Sequence, residues 1–103
     1  MVLGKITKQP VEVIDYDLDY TDFFLAGNDT DTIASHTRTV TRTQVGATTA
    51  AASLTTTGVI SNPIIRVKVS GGLTGEVYKI EVTMTSTNGR VLQDEIIMTI
   101  KEV

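Results

Sequence analysis

A few side chains in this chain of 103 residues are of the types that do chemistry. His36 is the single histidine, and Ser35 stands beside it. A serine–histidine pair works as nucleophile and base only when the side chains lie within hydrogen-bond reach and a third group orients the imidazole. Neighbours on a strand point to opposite faces, so this pair predicts a solvated or partner-facing histidine. Asn28, Asp29 and Asp31 are hard oxygen donors of the kind calcium takes, but the D-x-[DN]-x-[DN]-G frame and its downstream glutamate are missing. Asn28-Asp29-Thr30 fits the glycosylation pattern N-x-[ST], a short pattern that means little without a secretory signal. Ser70-Gly71-Gly72 and Gly75 share only their glycines with a phosphate loop, since no Gly-Lys-Thr follows. There is no cysteine, hence no thiol nucleophile, disulfide framework or Cys-rich zinc site. No catalytic, metal-binding or cofactor-binding residue emerges, and the expectation is a protein that is not an enzyme and carries no cofactor.

Charge is the sharper feature. From Val11 to Asp31 every ionisable side chain is acidic: Glu12, Asp15, Asp17, Asp19, Asp22, Asp29 and Asp31. The basic residues, among them Arg38, Arg42, Arg66, Lys68 and Arg90, lie elsewhere. Three readings stand side by side: a solvated strand face, complementarity between subunits or partners, and a calcium site around Asn28, Asp29 and Asp31. The formal net charge of −3 favours neither nucleic acid nor an anionic membrane, and no basic stripe is interleaved with aromatics. No apolar run approaches the roughly 18 residues of a membrane span. The first residues lack the apolar stretch of a secretory signal, and the lack of cysteine fits synthesis in a reducing cytoplasm.

The elements that must position these residues are strands. Residues 1–9 have no clear period and read as a mobile arm. Pro10 suits the start of an edge strand. In the run 11–20, Ile14, Tyr16, Leu18 and Tyr20 share one face, and Asp15, Asp17 and Asp19 the other. Thr21 to Leu25 breaks the alternation; Thr21 is placed to cap one helical turn that drops Phe23 or Phe24 onto the core. Residues 26–31 are loop chemistry. Thr32 to Thr43 has strand composition with its facing open. One or two short strands are expected within 44–61, around Ala51–Thr56 and Val59–Ser61, with Leu54 as anchor; an Ala-rich helical turn at Thr49–Leu54 is the competing reading, weakened by the flanking threonines and by Gly46 and Gly58. After Asn62-Pro63, the last forty residues alternate at period 2. Ile65, Val67 and Val69 share a face, as do Tyr78, Ile80, Val82 and Met84, and again Ile96, Met98 and Ile100. The turn signals Ser70-Gly71-Gly72 and Asn88-Gly89 predict a three-stranded antiparallel meander. Ile97 breaks the pattern and is expected beneath a neighbouring molecule. Such apolar rows need a second sheet, which the earlier strands must supply. The fold class is therefore all-β, an immunoglobulin-like two-sheet antiparallel sandwich of six to seven strands over residues 10–103.

From Asp15 to Ser35 the chain reads DYDLDYTDFFLAGNDTDTIAS, preceded by Lys8-Gln9-Pro10. Its second half carries Ser70-Gly71-Gly72 with Gly75, Tyr78 and Ile80, then Thr87-Asn88-Gly89-Arg90. In order and spacing these segments resemble the bacteriophage fiber-tail adaptor family. Its members open with a Lys-x-Pro-like element, then LDY/IDW-x-D-FL, then GDTI-x-S, and later SGG-x-x-G-x-x-Y-x-I and T-x-x-GR. The resemblance covers nearly the whole chain. Members tend to carry a tryptophan where this chain has Arg38, so Arg38 must snorkel, meet a partner or mark another register.

The resemblance implies a virion protein of the neck or tail, linking the portal, connector or tail hub to tail or tail-fibre proteins beside neighbouring copies of itself in a ring. It implies no nucleic-acid or membrane partner. The alternatives are a carbohydrate- or host-binding module and a head-decoration module. The contact surfaces expected are the arm with Lys5 and Lys8, the row Asp15, Asp17 and Asp19, the loop with Asn28, Asp29 and Asp31, and Arg38.

Overall fold

Apolar residues at every second position make strands, and two sheets of such strands hide their apolar faces only against each other. The computed structural model describes residues 2–26, 31–45 and 54–102, with the backbone alone at Val2, Leu3, Leu25 and Ala26. The elements are β1 (Val2–Lys8), β2 (Ile14–Asp19), α1 (Thr21–Ala26), β3 (Ile33–Gln44), β4 (Thr55–Ser61), β5 (Ile64–Ser70), β6 (Val77–Ser86) and β7 (Val91–Ile100). One sheet runs β1-β7-β6-β3 and the other β2-β5-β4. The pairs are antiparallel except β1 with β7. β2, β5 and β4 thus pair as the B, E and D strands of an immunoglobulin domain, and β3, β6 and β7 as its C, F and G. The first strand lies alongside the last instead of beside the second.

The core contains the rows expected of it. Ile65, Val67 and Val69 of β5 face Tyr78, Ile80, Val82 and Met84 of β6 and Ile96, Met98 and Ile100 of β7, all fully buried. Leu18, Tyr20, Phe24, Ile33 and Leu54 close the remaining sides.

Several expectations are corrected. Residues 2–8 are not a free arm but β1, in parallel register with β7 from Gly4 opposite Ile96 to Lys8 opposite Ile100. Its inward parity includes Gly4 and Lys8, which conceals the alternation from a search for apolar residues. Pro10 starts no strand. It is the second residue of a turn closed by the Glu12 N–H donating to the Gln9 carbonyl at 3.1 Å, where its fixed φ fits. The last forty residues are not a meander: β6 and β7 form the hairpin, but β5 belongs to the other sheet. Residues 71–76 therefore cross between sheets, and Gly71, Gly72 and Gly75 adopt φ of 83°, 94° and 91°, which side chains resist. The helical turn is capped by Asp19, not Thr21: its Oδ1 accepts the Thr21 N–H at 2.9 Å and the Thr21 hydroxyl at 2.5 Å. Residues 55–61 form one strand, and Ala51–Ser53 lie outside the described residues. Ile97 is half-buried on the outer face, in register with Lys5 and Lys79 of the flanking strands, whose aliphatic stems suit such a position.

One inward position on β7 breaks the apolar rule. Asp94 is buried opposite Val82, and neither its Oδ1 nor the buried Tyr20 hydroxyl has a hydrogen-bond partner among the described residues. Burial pushes the Asp94 carboxyl up. It also pushes the Tyr20 hydroxyl up, and the neighbouring Asp94 charge adds to that. A carboxyl raised in the folded state is neutral without penalty below its unfolded value and costs stability as pH rises towards the folded value. Asp94→Asn is expected to raise the urea midpoint at pH 7 and to match the wild type near pH 3. Urea midpoints across that range measure both.

Candidate interaction surface

The acidic row of β2 and the basic residues of β5 meet by strand register. Asp15 lies opposite Lys68, Asp17 opposite Arg66 and Asp19 opposite Ile64. On the other flank of β5, Thr57 stands opposite Lys68 and Val59 opposite Arg66. Alternation sends all of these outward, because Leu18, Ile65, Val67 and Val69 occupy the inward parity. The outer face of this sheet thus carries three stripes: acidic, then basic, then neutral threonine and valine. Arg66 forks onto Asp17, with Nε 2.8 Å from Oδ1 and Nη2 3.0 Å from Oδ2. The Arg66 hydrogen bond holds the Asp17 carboxyl below the usual range, and the Thr21 hydroxyl does the same for Asp19. Asp15, Thr57, Val59, Arg66 and Lys68 line a shallow depression of about 310 Å³. It continues towards Ile64 and Ser61. The sign segregation of the sequence is thus largely answered within the chain, leaving a mixed-charge surface with a valine at its edge.

Other predicted contact residues have structural duties. Lys8 is fully buried. Its ammonium donates to the carbonyls of Gln9 at 2.8 Å, Pro10 at 3.2 Å and Gly71 at 2.6 Å. Burial lowers its pKa and the nearby Glu12 charge raises it, leaving it below the ordinary lysine value. Lys5 is exposed on the outer face of β1. Asn28 and Asp29 lie outside the described residues. Asp31 is buried against the β6–β7 turn. Oδ1 accepts the N–H groups of Thr32 and Asn88, each at 2.9 Å, and Oδ2 accepts Arg90 Nε at 3.1 Å and Nη2 at 3.0 Å. The Arg90 guanidinium also lies 4.8 Å from the Phe23 ring centroid and 5.8 Å from that of Phe24. A carboxylate so engaged is a structural anchor, not an open oxygen ligand for calcium. Among the described residues no cluster of three His, Cys, Asp or Glu stands ready for a metal.

Arg38 snorkels. β3 turns His36, Arg38, Val40 and Arg42 inward and Thr37, Thr39, Thr41 and Thr43 outward. At the open side of the sandwich the Arg38 guanidinium reaches β4, donating from Nε to the Thr56 hydroxyl at 3.2 Å and from Nη1 to His36 Nε2 at 2.8 Å. Gly58 makes room. A side chain there would meet His36 Nε2 and come within 2.8 Å of Arg38 Nη1. Because Nε2 accepts from a cation, this imidazole is neutral. Burial lowers its pKa first, and the Arg38 charge lowers it further.

Sequence reasoning missed Glu76. Burial pushes its carboxyl up, but bonds from Arg42, the Leu73 N–H and the Tyr78 hydroxyl outweigh that and hold it below the usual value. Tyr78 Oη lies 2.8 Å and Leu73 N 2.6 Å from Glu76 Oε1. A tyrosine at the start of the sixth strand, tied to backbone upstream, is the immunoglobulin tyrosine corner, here relayed through a carboxylate. The signal was a tyrosine in that place, two residues after a glutamate.

Two pH effects follow. In Asp31, burial raises the carboxyl, but the hydrogen bonds from Ser86, Asn88, Arg90 and Thr32 outweigh it and hold it at about 2. Its folded value is depressed, so its contribution is complete above the ordinary 3.8 and is lost as pH falls towards about 2. Asp31→Asn is expected to lower the urea midpoint at neutral pH and flatten that acid limb. His36 is also depressed, from 6.5, so its contribution is present above that value and declines as pH falls below it. His36→Gln is expected to remove this slope from urea midpoints taken between about pH 7 and 5.

The segments that carry the resemblance are where these contacts gather. The family profile described as podophage GP4 fiber-tail adaptor protein gp77 matches residues 8–99. No curated protein matches the chain. With the match running from Lys8 through the last strand of the sandwich, the chain belongs to the podophage fiber-tail adaptor family, whose members are structural components of the phage tail.

Proposed function

We propose that this protein is a non-enzymatic linker that joins the portal, connector or tail hub of a podophage particle to its tail or tail-fibre proteins, in several copies around the hub. The observation that carries this is the family match across residues 8–99. The geometry supports it. The sandwich core is filled by side chains, and the depressions described on its outer face are shallow. Its charged groups are spread over an outer sheet face rather than converging, as suits recognition of proteins. The rival of a sugar-binding module is poorly served. Such sites rely on aromatic side chains, and the two phenylalanines and three tyrosines of the chain all lie in the core or pack against it.

Cryo-electron microscopy of the intact particle tests the proposal. Density for this sandwich between hub and tail or fibre is expected, repeated around the tail axis. Density on capsid hexamers would replace the linker with a head-decoration role, and selective binding on a glycan array would replace it with a host-binding one. Asp15→Asn removes one exposed charge without touching the core or the helix cap, and is expected to reduce incorporation into particles while leaving the unfolding free energy within about 0.5 kcal/mol of wild type.

A further inference from the structure

The turn between β1 and β2 is built more tightly than a connector needs. Pro10 fixes one φ, and the Glu12 N–H closes the turn on the Gln9 carbonyl at 3.1 Å. The Glu12 carboxylate returns to accept the Gln9 N–H at 2.6 Å. Beneath it the buried Lys8 ammonium holds the carbonyls of Gln9 and Pro10 and ties both to Gly71 across the sandwich end. Burying an ammonium is costly even when it is hydrogen-bonded, so stability alone is a weak reason to place one here. What this scaffold presents is apolar: Val11 is 89% exposed and Val13 61%. The other large exposed valines, Val45, Val59 and Val91, belong to different elements. Two valines on one rigid turn gain nothing from water, and they lose little freedom when a partner covers them.

Building on the linker reading, we propose that the Pro10–Val13 tip is a preformed apolar plug that seats in a socket on another virion protein. The socket is apolar at its floor and cationic at its rim. The rim follows from the two carboxylates that flank the tip, Glu12 within the turn and Asp15 exposed just beyond it. Lys8 is a positioning residue in this scheme, and Val11 and Val13 make the contact.

The test is occupancy. Phage carrying Val11→Ser with Val13→Ser are grown, and adaptor copies per purified particle are counted by quantitative mass spectrometry. At least a tenfold loss is expected with an unchanged urea midpoint for the purified protein, whereas Val91→Ser, at an exposed valine away from the tip, retains wild-type occupancy. Should the double variant lower the midpoint, Val11→Thr, close in shape to valine, reads the same loss on a folded chain. Wild-type occupancy in the tip variants, or an equal loss with Val91→Ser, overturns the plug while leaving the linker reading intact. Absence of the wild-type chain from the tail overturns both. Self-association of the purified protein that the tip variant abolishes, read by sedimentation, assigns the tip to a second copy and overturns the socket on another protein.

Discussion

Packing of β5 against the β6–β7 hairpin is the constraint on which everything else rests. The three strands carry the apolar rows that are buried throughout, and each row is covered only because β5 crosses to the opposite sheet. In a single sheet those rows would lie side by side on one face and need a cover from elsewhere. Placed in two sheets, they cover one another. A fully buried valine or isoleucine contributes about 1.5–3 kcal/mol, so this arrangement outweighs the local convenience of a meander. The cost falls on the crossover at 71–76, which must turn sharply with few side chains to anchor it. Glycines with positive φ, the Lys8 cage and the Glu76–Tyr78–Arg42 cluster all collect there.

The opposite end of the sandwich is closed by a second polar lock. Asp31 and Arg90 join the start of β3 to the β6–β7 turn, and the Arg90 guanidinium lies against the aromatic residues of α1. Thr32 and Thr87 hydroxyls pair at 2.8 Å, and the Asn62 side chain accepts the Ile33 N–H at 2.7 Å. The motif segments of the resemblance fall largely on these two locks: Lys8-Gln9-Pro10 and the Ser70-Gly71-Gly72 crossover at one end, Tyr20 to Phe24, Asp31-Thr32 and Thr87 to Arg90 at the other. They are instructions for closing a sandwich rather than for recognising a ligand.

The polar groups at the margins of the core behave differently. Asp94 has a burial penalty and one carboxyl oxygen, Oδ1, without a hydrogen-bond partner among the described residues, and the His36–Arg38 contact stands only with a neutral imidazole. Both lower the stability of the free protein relative to apolar alternatives. Proteins hold such groups where function tolerates or uses the loss. Here both stand in register with Val82 of a central row, Asp94 from β7 and Arg38 from β3.

By itself the sequence determined the all-β class, the inward and outward parity of β2, β5, β6 and β7, and the helical turn with its phenylalanines. Period-2 alternation is local and survives any topology. The tertiary structure alone decided which sheet each strand joins, because that depends on how apolar rows cover one another at a distance. It also decided that Lys8 and Asp31, read as outward contacts, are buried anchors: a lone lysine or aspartate looks solvated until the carbonyls of Gly71 or the guanidinium of Arg90 are brought to it from roughly sixty residues away. The facing of β3 was settled in the same manner, since its two parities are nearly equal in polarity and only Gly58, by leaving room on β4, lets His36 and Arg38 turn inward.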